Sequence, residues 1–105
     1  MDTQSTYDTI RQTIHALLPD SRILLFGSRA RGTQDKQSDY DLLVIIPGIF
    51  TKKEMLNWSS QLDRAIVHAI HAPIDLLIYS EAEVLEKREL PGHIVRSAMR
   101  EGIAL

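Results

Sequence analysis

An α/β fold, with a small mixed sheet covered by helices, is what this chain predicts, and three observations predict it. Two short apolar runs, Arg22 to Phe26 and Tyr40 to Ile46, are nearly continuous, as strands buried on both faces are. Two longer stretches, Tyr7 to Leu18 and Met55 to Ile70, repeat apolar residues at helical spacing. The two kinds alternate along the chain, the pattern of a sheet with helices packed on it.

Each element has its own signal. Tyr7, Ile10, Ile14, Leu17 and Leu18 form the first helical stripe; Pro19 stops it, and the polar cluster Thr3 to Thr6 offers N-caps. Arg22 to Phe26 then reads as a strand that breaks at Gly27-Ser28, where a short helix looks set to begin. Tyr40 to Ile46 is the second strand, closed by Pro47-Gly48. Met55, Trp58, Leu62, Ala65, Ile66, Ala69 and Ile70 make the clearest helical stripe, with Trp58 expected in the core. Ile74 to Tyr79 is a third strand after Pro73, and Ala82 to Lys87 a short helix. Pro91 suits the first position of a last helix carrying Ile94, Val95, Ala98 and Met99. The whole, 1–105, is expected to be one domain, since 105 residues support no more.

Composition narrows the function classes. The formal charge is −2, the sequence pI about 6.0, and no basic tract stands out, so direct binding to a nucleic-acid backbone is not expected. There is no cysteine, which removes disulfides and zinc–thiolate sites. The apolar runs fall far short of a membrane span, and the polar, acidic start does not resemble a signal peptide. A cytoplasmic location is the default expectation.

The chemistry concentrates in LLFGSRARGTQDKQSDYDLLVII, residues 24–46. Strand side chains alternate, so Asp39 and Asp41 point one way while Tyr40 points the other with Leu42, Val44 and Ile46. Two carboxylates about 7 Å apart on one face repel unless a positive charge lies between them. A divalent cation resolves the conflict, and hard oxygen ligands favour Mg²⁺ or Mn²⁺. A lone Asp-x-Asp is more often a pair of solvated turn residues. Two further features move the balance. Gly27 can take the backbone angles of a tight turn, which would aim the Ser28 hydroxyl and nearby amides at an anion. Asp75, starting the third strand, brings a third acid to a neighbouring strand end. Acids beside an anion pocket on one sheet edge suggest metal-assisted phosphoryl chemistry.

Gly-Ser, ten intervening residues, Asp-x-Asp and a later strand aspartate resemble the polymerase-β-like nucleotidyltransferases. GSRARG with SDYDLLV is most similar to the minimal nucleotidyltransferase group among them. The resemblance is most specific over residues 26–46 and extends loosely from 7 to about 102, including the ending HIVRSAMREGIAL. It implies a polymerase-β-like nucleotidyltransferase fold. It implies that Gly27 and Ser28 hold the nucleotide triphosphate, that Asp39 and Asp41 bind metal, and that Asp75 completes a metal site and helps deprotonate the attacking hydroxyl. It further implies ATP as substrate with Mg²⁺ or Mn²⁺. Several members resemble antitoxins that transfer AMP to a tyrosine of a HEPN ribonuclease toxin, which implies a hetero-oligomer with such a toxin. The small size of the chain agrees, because little is left over for an acceptor-binding domain. Two alternatives stay open: an antitoxin that neutralises its partner by binding alone, and the catalytic subunit of a two-component enzyme acting on a small molecule.

Other residues carry less. Arg29 and Arg31 flank the turn; contact with phosphates is one role for them, and pairing with surface acids or holding the loop is the other. Arg29 is taken with Gly27 and Ser28 as nucleotide-binding. Ser38 either caps the loop and orients Asp39 or is solvated, and Asp35 reads as solvated. His68 and His71 are read as helix-surface residues, because no third ligand is evident. GSRARGT lacks the lysine of a P-loop, and the glycine spacing does not match a dinucleotide fingerprint.

Overall fold

The computed structural model describes residues 2–35 and 38–105. Helix α1 (Thr3–Leu17) leads into strand β1 (Arg22–Phe26), the short helix α2 (Gly27–Arg31) and strand β2 (Tyr40–Ile46). Then come α3 (Lys52–Ile70), β3 (Ile74–Ser80), α4 (Glu81–Lys87), α5 (Ile94–Glu101) and β4 (Ile103–Ala104). The strands lie in the order β3-β2-β1-β4, with β2 parallel to β3 and both neighbours of β1 antiparallel to it. The expected mixed sheet is therefore present.

Helices cover both faces. On one, Ile10 and Ile14 of α1 and Leu62 and Ile66 of α3 pack on Ile23, Leu25, Leu42, Val44 and Ile46. On the other, Val84 of α4 and Val95 and Ala98 of α5 pack on Leu24, Phe26, Leu43 and Ile45. Residues 42–46 of β2 are all buried, because this central strand feeds both layers. Helix α3 supplies the crossover that parallel β2 and β3 require. Its start is fixed by a capping box, in which the Thr51 hydroxyl accepts from the Glu54 amide and the Glu54 carboxylate accepts from the Thr51 amide.

Three local expectations give way, and one strand is added. The cap of α1 is Asp2, whose carboxylate accepts from the Ser5 amide at 2.7 Å, one residue before the cluster Thr3 to Thr6. Pro91 lies in the turn ahead of α5, which is capped instead by the His93 ring accepting from the Val95 amide. Trp58 is half-exposed and joins neither core cluster, since Leu62 and Ile66 alone of α3 are fully buried. Strand β4 had no counterpart in the sequence reading. Gly102 ends α5, and Ile103–Ala104 then pair with Leu24 and Leu25 of β1.

Candidate active site

The backbone turns sharply where β1 becomes α2. Gly27 sits at φ 76°, the left-handed region that glycine occupies without strain. It also makes room: a Cβ there would collide with the Asp41 carboxylate oxygen Oδ2. Phe26, at the N-cap of α2, has no side-chain acceptor and makes no capping hydrogen bond to the first-turn amides. Ser28 is half-buried in that turn. Gly32, at φ 76°, ends α2, and its amide donates to the Ser28 carbonyl.

Asp41 lies across from Phe26 of β1 and from Asp75 of β3. The alternation of β2 places Asp41 on the α4/α5 face with Leu43 and Ile45, and Tyr40 on the α1/α3 face, where it packs with Leu42 and Val44. Asp75 occupies the same face as Asp41 by the same argument, since Ile74 packs with the α1/α3 layer and Leu77 with the other. Asp39 is exposed and immediately precedes β2. The structure thus brings Gly27, Asp41 and Asp75 side by side, with Ser28 next along the chain from Gly27 and the charge of Asp39 close enough to act on Asp41.

The electrostatics follow from this crowding. Asp41's carboxyl is pushed above the ordinary aspartate range, first by burial, then by the charges of Asp75 and Asp39, with Arg31 pulling weakly the other way. The arginine is itself engaged, its Nη1 lying 3.2 Å from Glu101 Oε2 of α5. That contact ties α2 to α5 and joins residues 70 apart in sequence, so no local pattern announces it.

Arg29 is engaged with the residues on either side of Asp39. Its Nε and Nη2 donate to the Ser38 carbonyl at 3.1 and 2.9 Å, and its guanidinium lies 3.9 Å over the Tyr40 ring. Of the roles open to it, holding the loop is the one its contacts serve. Ser38 is a loop-closing residue too: its hydroxyl accepts from the Asp35 amide at 3.0 Å. Asp35 is exposed, as expected, and its amide is held by Ser38. His68 and His71 stand exposed with ring centroids 6.2 Å apart.

The acids occupy an open edge. A separate groove, lined by Phe50, Met55, Leu56, Ile78 and Tyr79, lies toward the far end of β3. Among the described residues no three His, Asp or Glu side chains form a ready-made ion cluster. Uncompensated carboxylates repel, which favours their standing apart. The donor set nevertheless suits a hard divalent cation: carboxylate oxygens from adjacent strands, one of them destabilised in its charged form by its neighbours.

A sequence model of the family described as "Polymerase beta, Nucleotidyltransferase" matches residues 12–100. The chain belongs to that family. It is a nucleotidyltransferase of the polymerase-β-like type, and enzymes of this family generally use ATP and a divalent metal. A Methanocaldococcus jannaschii protein named as a putative protein adenylyltransferase is 41% identical over 46 residues, 42% of this chain and 46% of its own length. The match thus spans under half of that relative. Among solved structures, one described as a putative minimal nucleotidyltransferase superposes with a TM-score of 0.69 at 23% identity, covering 100% of this chain and 97% of the other. A toxin–antitoxin crystal structure with AMP-PNP superposes with a TM-score of 0.65 at 20% identity, covering 92% and 69%. At these identities the superpositions show the fold of a polymerase-β-like nucleotidyltransferase. No helix among the described residues is long and apolar enough to cross a membrane.

Proposed function

We propose that this chain moves AMP from ATP to a hydroxyl of a partner protein, a tyrosine for preference, and that the partner is a HEPN-type toxin which the modification inactivates. The observation that carries the chemistry is the cross-strand pair Asp41 and Asp75, packed beside a glycine turn that opens a helix. Support for the acceptor class comes from the relative named for protein adenylylation and from the fold shared with a toxin–antitoxin complex holding AMP-PNP.

In this reading Asp39, Asp41 and Asp75 hold Mg²⁺ or Mn²⁺. A divalent cation held there would neutralise charge on the triphosphate and lower the pKa of the attacking hydroxyl. Gly27 lets the chain turn close to the nucleotide, and the Ser28 hydroxyl and the first-turn amides of α2 orient the phosphates for in-line attack. The acceptor oxygen bonds to the α-phosphorus, the bond to pyrophosphate breaks, and Asp75 receives the hydroxyl proton. A tyrosine hydroxyl, with a pKa of about 10, needs that assistance at neutral pH. Location in the cytoplasm and action as a single domain over 1–105 belong to the same proposal.

The test is intact-mass spectrometry of the partner after incubation with this chain, ATP and Mg²⁺. The expected outcome is mass gained in whole AMP steps, lost with Asp75→Asn, which still binds the partner. The partner should stay inactive once the two are separated. An unmodified partner that recovers full activity on separation would instead establish neutralisation by binding alone.

A further inference from the structure

Asp39 is exposed and immediately precedes β2, outside its ladder. Its two chain neighbours are both held by one side chain. Arg29 directs Nε and Nη2 at the Ser38 carbonyl, at 3.1 and 2.9 Å, and lays its guanidinium 3.9 Å over the Tyr40 ring. The Tyr40 amide in turn donates to the Pro73 carbonyl at 3.2 Å, two residues ahead of Asp75.

We propose that Arg29 is a positioning residue, a clamp that grips the peptide on both sides of Asp39 and thereby holds that carboxylate at the edge where Asp41 and Asp75 stand. The proposal rests on the reading of Asp39 as a cation ligand. Arginine alone among the side chains provides both halves of the grip. Its planar fork gives two parallel N–H donors to one oxygen, and its flat face stacks on an aromatic ring. A lysine offers a point charge and neither geometry. Tyr40 belongs to the α1/α3 face and Asp41 to the other, so Arg29 acts on the site through the backbone rather than by facing the acids.

Three variants test this, with Mn²⁺ binding to the nucleotide-free protein read by electron paramagnetic resonance, and the KM for ATP measured at saturating Mg²⁺. Removing the support behind a metal ligand commonly weakens the metal by about tenfold or more. Arg29→Lys and Arg29→Met are therefore expected to weaken Mn²⁺ about equally, by roughly tenfold, with lysine giving no rescue. The KM for ATP should stay within about twofold of wild type, and exchange of the Tyr40 amide should quicken. Tyr40→Leu keeps the apolar packing, removes the stack, and should weaken Mn²⁺ by a smaller factor. Wild-type Mn²⁺ affinity in Arg29→Lys, or a KM rise confined to Arg29→Met, would overturn the clamp and assign the arginine to the triphosphate. Asp39→Ala separates the two readings. If it weakens Mn²⁺ and the Arg29 variants do not, the clamp alone falls; if it leaves Mn²⁺ unchanged, the cation reading of Asp39 falls and the clamp with it.

Discussion

Replacing Asp41 by Asn should make the metal-free protein more stable while destroying its activity. Asp41 and Asp75 are direct neighbours on parallel strands, and strands lie about 5 Å apart. Two unit charges at about 5 Å repel by roughly 0.8 kcal/mol in a water-like dielectric and by roughly 3 kcal/mol at an effective dielectric near 20. Asp75 is exposed and Asp41 half-buried, so solvent screening pulls the figure toward the lower bound, about 1 kcal/mol. The sign runs opposite to that of a salt-bridged aspartate. Asp41's folded pKa is raised, so the folded chain binds the proton more tightly than the unfolded chain. The cost is absent below the unfolded pKa of about 3.9, grows as pH rises through the raised folded value, and is complete above it. Asn removes it. In EDTA at pH 7.5, Asp41→Asn should melt roughly 4–8 °C above wild type by circular dichroism, while at pH 3.5 the two should melt together. Mg²⁺ should raise the wild-type Tm and leave the variant's unchanged, closing the gap. An equal or lower Tm for the variant in EDTA at pH 7.5 would refute the reasoning.

The other predictions concern the turn, the acids and the core. Asp39→Ala with Asp41→Ala should fold yet lose transfer by roughly a thousandfold, corresponding to about 4 kcal/mol of transition-state stabilisation, checked by radiolabel transfer from ATP. Gly27→Val should abolish ATP binding in calorimetry with Mg²⁺ and lower the Tm, because a side chain there meets both a left-handed backbone and the Asp41 carboxylate. Ser28→Ala should weaken nucleotide use more mildly, since the backbone amides remain. Ile66→Ala should cost about 3 kcal/mol in urea unfolding, since Ile66 is fully buried between α3 and the sheet.

How legible the chain was depended on whether a signal was local. The bounds of β1 and β2 could be read because buried strands are nearly unbroken apolar runs ended by Gly27 and Pro47. The turn at Gly27 follows from glycine geometry and was legible, whereas the register that sets Asp75 directly across from Asp41 needed the parallel pairing of β2 with β3. Strand β4 was not, because two residues are too short to show a period of two, and Ile103 reads as a continuation of the α5 stripe. Trp58 misled because periodicity finds a face without saying how far the sheet extends beneath it. The engagement of Arg31 with Glu101 and the double grip of Arg29 are tertiary facts. The sequence could only offer both arginines the same choice of roles.

Parallel pairing of β2 with β3 runs residue against residue, Tyr40 with Ile74 through Ile46 with Ser80. The two acids therefore meet through an alignment shared by seven pairs, and no loop positions Asp75 on its own. Sliding β3 by a single place would send its aspartate through the sheet to the α1/α3 side and bring a leucine or an isoleucine opposite Asp41. Chain length can vary in the connection at 71–73 without this consequence, whereas one residue inserted between Asp75 and Leu76 should leave a folded sheet with a dead edge. The meeting of the two carboxylates is thus tied to a count along the backbone, and the apolar side chains of β3 act as the teeth that keep the count.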